Sequence, residues 1–189
     1  MRCYSAVIGL VLIASSCNST SSFASAAEGG GIAKTPEEFA TALFESFVKN
    51  DKSIFDKNVT RDLQVIIPFM REAIAASPLK IDREQPSDAK LTERMKSNYI
   101  DTVLDYDWKS VRDQPNNDQI AWNEAKITKI ESSKSRLQVP NRERIDVAVY
   151  FSAGKRSWRL DVGYLTNLGP GWYVQSYVIF PDYSKRRSR

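Results

Sequence analysis

The stretch that decides the fold is RSWRLDVGYLTNLGPGWYVQSYVIF, residues 156–180. Trp158, Leu160, Val162 and Tyr164 alternate with other residues, and after Asn167–Gly171 the alternation returns at Trp172, Val174, Ser176, Val178 and Phe180. A period of two predicts strands with one buried face, and Asn-Leu-Gly-Pro-Gly predicts the turn between them. Just upstream, Ile145, Val147, Val149 and Phe151 alternate in the same way. Gly154-Lys155 as a two-residue loop puts glycine first, as a type II′ turn prefers. That register sets Phe151 opposite Trp158, Val149 opposite Leu160 and Val147 opposite Val162. Moving the loop to Ala153-Gly154 would oppose Asp146 with Asp161, a like-charge pair. Gln119 to Ser132 reads as a further strand whose imperfect alternation predicts a bulge. The C-terminal half is therefore an antiparallel meander of about four strands.

Before Trp108 the period is helical. Thr35-Pro36-Glu37-Glu38 combines a cap, a proline suited to the first helical position and a capping-box glutamate. Phe39, Ala40, Leu43, Phe47 and Val48 extend this helix to about Asn50. A short polar break carries Ile54 and Phe55. A second helix from Thr60 presents Leu63, Ile66, Ile67, Met70 and Ile74 on one face, and Pro68 is expected to kink or divide it. After a connector at 78–86, a third helix from Ser87 to Leu104 presents Leu91, Met95, Tyr99 and Val103. Three amphipathic helices and a sheet with one apolar face predict a single α+β domain over 35–183, the helices covering the sheet.

The ends read differently. Arg2, the apolar run Ala6–Ala14 and the Ala24-Ser25-Ala26 pattern predict a signal peptide over 1–26 and export to the periplasm or medium. A flexible lead-in follows at 27–34. Cys17 stands where a lipoprotein carries its acylated cysteine, so anchoring there is the alternative to simple secretion. Both cysteines, Cys3 and Cys17, lie in the leader, and the chain has no histidine. Ser-His-Asp and Cys-His catalysis, cysteine zinc sites and a disulfide framework are excluded from the mature domain. Of 27 basic residues, five (Arg2, Lys185, Arg186, Arg187 and Arg189) sit at the ends, leaving 22 against 23 acidic ones. The body is near neutral, the tail 184–189 is basic, and a nucleic-acid-binding face is not expected. Membrane contact would come through Cys17 or this tail. No cofactor or metal is implied.

The sheet face opposite the helices is expected to carry Asp146, Ala148 and Tyr150, then Arg159 and Asp161, then Tyr173, Gln175, Tyr177 and Ile179. Tyrosine and arginine on a polar face have the composition of an interface. Tyr150, Arg159, Tyr173, Gln175 and Tyr177 are the candidate contact residues. Helices first, then a bent meander closing on Gly171-Trp172-Tyr173, resembles the nuclear transport factor 2-like (cystatin-like) superfamily over residues 35–182. Members often insert a strand or hairpin between the second and third helices, where this chain offers Leu79-Lys80-Ile81. The resemblance implies a cone-shaped domain, a pocket between sheet and helices, and homodimers through the outer sheet face.

Two chemical readings remain. Tyr99, Asp101 and Asp105 are the candidates for an isomerase-like acid–base site, although the aspartates are displaced from the apolar stripe. Trp122, Trp158, Tyr164 and Trp172 either line a pocket for a small apolar ligand or form core. Asn58-Val59-Thr60 fits a glycosylation sequon. The function expected is that of an exported, non-enzymatic binding or interaction module.

Overall fold

A computed structural model describes residues 32–77, 86–113, 119–136 and 138–182. The leader with Cys3 and Cys17, the segment Leu79-Lys80-Ile81 and the basic tail lie outside these residues. The fold is α+β: helices on one side of an antiparallel sheet of five strands. Among the described residues, no helix is long and apolar enough to cross a membrane.

Helix α1 spans Pro36–Lys49. Thr35 caps it by accepting from the Glu38 amide at 3.2 Å, while the Glu38 carboxylate takes the Lys34 amide at 2.6 Å. The helix ends at Asn50, whose φ of 53° is left-handed. The expected break is a short helix, α2 (Lys52–Asp56), capped by Asp51. Helix α3 (Leu63–Ala75) runs through Pro68 undivided. It buries Ile66, Ile67 and Phe69 and leaves Ile74 at the surface.

The third expected helix is longer and different in kind. Helix α4 (Asp88–Arg94) continues into a π-helical segment, Met95–Asp107, and then into α5 (Trp108–Asp113). Wider turns bring residues five apart onto one face, so Tyr99 and Leu104 are buried and Val103 is only partly so. The helical region therefore extends past Trp108, where the strand period was expected to begin.

Strand β1 (Lys126–Lys134) follows a short 3₁₀ turn at Trp122–Glu124 and carries the expected bulge, between Ile127 and Lys129. β2 (Ile145–Ala153) and β3 (Arg156–Asn167) pair in the expected register, with Phe151–Trp158, Val149–Leu160 and Val147–Val162 opposed. Gly154 in the connecting loop has φ +59°. β4 (Trp172–Tyr173) and β5 (Ser176–Pro181) both pair with β3.

The last hairpin corrects the expected faces. Its closing pair is Asn167–Trp172, so the loop is four residues, 168–171. Asn167 Oδ1 accepts from the Gly169 amide at 2.8 Å inside it. Strand β3 bulges at Gly163–Tyr164 opposite Asp146, with Tyr164 at φ 57° and its amide donating to Asp146 Oδ1 at 2.8 Å. Beyond Val174 and Gln175 the alternation has slipped by one residue, which exchanges the faces. Tyr177 and Ile179 now point inward opposite Val162 and Leu160, and Val178 and Phe180 point outward opposite Asp161 and Arg159.

The core lies between α1 and the sheet. Phe44 packs on Phe151 at 5.0 Å, Phe47 on Trp108 at 5.7 Å and Phe55 on Tyr177 at 5.7 Å between ring centres. A second tie closes the chain on itself. The Trp172 amide donates to Asn58 O at 2.8 Å, the Thr60 amide donates to Trp172 O at 3.0 Å, and Trp172 Nε1 donates to Ala33 O at 2.8 Å. Asn58 is buried and its side chain is engaged at both ends, accepting from the Ala33 amide and donating to Ile54 O. The sequon is thus part of the core.

Candidate functional site on the outer face of the sheet

The register places two rows side by side across the outer face. One runs Lys129, Tyr150, Arg159, Phe180 and the other Glu131, Ala148, Asp161, Val178, each member directly opposite the next. In the first row cations and rings alternate. The Lys129 ammonium lies 5.8 Å from the Tyr150 ring centre, and the Arg159 guanidinium lies 5.4 Å from Tyr150 and 5.5 Å from Phe180. Such contacts contribute about 0.5–1 kcal/mol at exposed sites. In the second row, Glu131 pairs with Lys129, and Asp161 Oδ1 accepts from Arg159 Nε at 2.5 Å. A trough of about 710 Å³ opens over the acidic row and continues past Ser133, Asp146, Gly163, Tyr164 and Ser176.

The charges here are matched. The Lys129 ammonium and a hydrogen bond with Tyr150 hold the Glu131 carboxyl below its ordinary range. Partial burial pushes the Tyr150 phenol up, and Glu131 adds to the shift. Burial works against the Arg159 charge, but the Asp161 hydrogen bond and the charges of Asp161, Tyr150 and Glu131 together outweigh it and raise the guanidinium. Glu131 is held ionised and Tyr150 protonated. That suits recognition through fixed charge better than proton transfer. No cluster of three or more acidic, histidine or cysteine side chains suited to a metal is found among the described residues.

Of the candidate contact residues, Tyr150 and Arg159 meet on this face and Gln175 is exposed at the edge of the break. Tyr173 and Tyr177 belong to the core: the one-residue slip turns Tyr177 inward, and Tyr173, which precedes the slip, is covered by Phe69 and Tyr99. Tyr173 stacks on Tyr99 at 4.6 Å, and the Tyr177 hydroxyl donates to Val103 O at 2.6 Å. Phe180 and Val178 take the outer places, and Lys129 and Glu131 join them from β1. For the first two the sequence held no deciding signal, since either length of the last loop leaves an alternating strand. For the other two the signal was the Lys-x-Glu alternation after the bulge.

The acid–base candidates are not assembled into a site. Tyr99 is buried, its hydroxyl directed at Thr60 O at 3.4 Å, and burial holds the phenol far above its ordinary range. Asp101 is exposed. Asp105 accepts from Arg61 at 2.8 Å and from Lys52 at 2.9 Å, and Arg61 first, then Lys52, pulls its carboxyl down to about 2. An aspartate held so acidic is a poor base at neutral pH. The four aromatic candidates are likewise apart. Trp158 and Trp172 are core, Trp122 packs on Phe47 and Phe151, and Tyr164, swung out by its left-handed backbone, lines the outer trough.

No family model matches the chain, and neither a curated protein nor a solved structure matches it.

Proposed function

We propose that the chain is an exported, non-enzymatic interaction module of the nuclear transport factor 2-like type, which pairs with a second copy through the outer face of its sheet. The observation that carries this reading is the pair of parallel rows, one cationic and aromatic, the other acidic and aliphatic. A two-fold axis lying in the face between the rows sets Lys129 and Arg159 of one copy over Glu131 and Asp161 of the other. Such an isologous contact is self-complementary in charge. Tyr150 and Phe180 supply the rigid apolar area that interfaces favour. Helices first, a bulged meander and the Gly171-Trp172-Tyr173 closure support the superfamily reading, and the leader pattern supports export.

Light scattering tests the pairing. The wild-type protein is expected at dimer mass, and Arg159→Glu is expected at monomer mass with its thermal unfolding little changed. Arg159→Glu combined with Asp161→Arg, which exchanges the rows locally, should recover dimers. Wild-type protein at monomer mass across the accessible concentration range would refute the pairing. Mass spectrometry of the native N-terminus separates cleavage near Ala26 from acylation at Cys17.

A further inference from the structure

Arg144 stands at the end of the turn joining β1 to β2, and its backbone is pinned. The Arg144 amide donates to Gln138 Oε1 at 3.1 Å, and its carbonyl accepts from the Ser135 amide and from Gln138 Nε2, each at 2.9 Å. From this fixed base the side chain runs inward, leaving the residue 8% exposed. Its guanidinium carbon lies 5.5 Å from the ring centre of Phe69 on α3 and 5.4 Å from that of Tyr164 on β3.

A desolvated guanidinium is costly unless an anion or several acceptors satisfy it. Here its Nε has no hydrogen-bond partner, and among the described residues the guanidinium forms no ion pair with a carboxylate. Asp146 favours the charge from a distance, and it and Glu72 have other hydrogen-bond partners. Asp146 accepts from the Tyr164 amide, and Glu72 pairs with Arg142 at 3.2 Å. Arg142 itself sits 6.0 Å from the Phe69 ring centre, adding a second positive charge beside the same aromatic. Tyr173, whose ring lies 5.1 Å from Phe69, brings a phenol into the field of Arg144. Contacts with ring faces offset part of the desolvation but fill none of the five fork donors with an acceptor.

We propose that Arg144 anchors an oxyanion site: a carboxylate or phosphate group of a small ligand takes the open donors of the guanidinium, with the Tyr173 hydroxyl as a further donor. The planar fork suits both groups, and the two rings fix its plane. The site lies beside the outer-face trough, sharing Tyr164 with its lining, and does not depend on the pairing of two copies.

The probes are inorganic phosphate and benzoate, added to the wild-type protein at ionic strength matched with chloride. Two readouts are followed, the melting temperature and the ¹⁵N–¹H resonance of Arg144 Nε. Either anion should raise the melting temperature saturably and shift that resonance with the same midpoint, as linkage to a single site requires. Arg144→Met should remove both responses, and Arg144→Lys should bind about tenfold more weakly, having the charge without the fork. A response to phosphate alone or to benzoate alone identifies the group. If neither anion moves either readout in the wild-type protein, the guanidinium is a strut between two rings and the proposal is overturned. Should Arg144→Met fail to fold, the wild-type resonance decides by itself.

Discussion

Replacing Gly171 by alanine would place a methyl carbon 2.9 Å from the Thr60 amide nitrogen, 3.0 Å from the Val59 carbonyl carbon and 3.3 Å from Asn58 O. All three are backbone atoms of the segment that Trp172 holds through two hydrogen bonds of 2.8 and 3.0 Å. No side-chain rotation can relieve the clash, so the segment must move. Overpacking of this kind costs about 1–3 kcal/mol. Each weakened backbone bond adds about 0.5–1.5 kcal/mol. The expected loss is about 2–6 kcal/mol, with a fall in melting temperature of about 2–4 °C for each kcal/mol. Urea denaturation followed by tryptophan fluorescence measures it. The control is Gly163→Ala, whose methyl would meet the Ser176 hydroxyl oxygen at 2.8 Å, a group that can rotate aside. That variant should lose well under half as much. Equal losses at the two positions would refute the claim that backbone proximity at Gly171 sets the cost.

Neighbouring substitutions on β5 test the slipped register. Tyr177→Glu buries a carboxylate against Phe47 and Phe55 and should abolish cooperative unfolding, whereas Val178→Glu, at a position 48% exposed, should shift stability by about 0.5 kcal/mol or less; the opposite ranking in circular-dichroism melts would restore the unbroken alternation. Asp105 predicts a modest acid sensitivity. Its carboxyl lies below the unfolded value of 3.8, so its contribution is present above pH 4 and is lost as pH falls through about 2. With the side chain 47% exposed, solvent screening limits this to about 1 kcal/mol, and Asp105→Asn should flatten the stability profile between those pH values in urea titrations.

Much of the architecture was legible because it rests on local rules. The Thr35–Glu38 cap and the Gly154 loop each follow from side chains within a few residues of one another. The β2–β3 register could be argued because the alternative opposed two aspartates. The last hairpin lacked such a discriminator. Counting Asn167 as turn or as strand changes the loop by one residue, and both counts leave an alternating sequence. What decides is tertiary: Tyr177 fills the space between Phe47 and Phe55, which neither strand reveals. The π-helical segment was hidden for a related reason. A spacing of four carries Leu91, Met95 and Tyr99 on to Val103 and a spacing of five carries Tyr99 on to Leu104, and burial of Leu104 selects the five. The outer-face rows followed only once these two points were settled, since they need Val178 and Phe180 outside.

The tie between Ala33, Asn58 and Trp172 joins positions as far as 139 residues apart. During synthesis from the N-terminus, helix α1 leaves the ribosome long before its cover does. Phe39, fully buried and 5.9 Å from the Trp172 ring, has no lid until that tryptophan emerges. Contacts of such separation delay closure, because the intervening chain must be ordered first. A nascent chain halted short of residue 172 therefore carries an uncovered aromatic stripe. Completion of the fold is timed by the arrival of its last two strands.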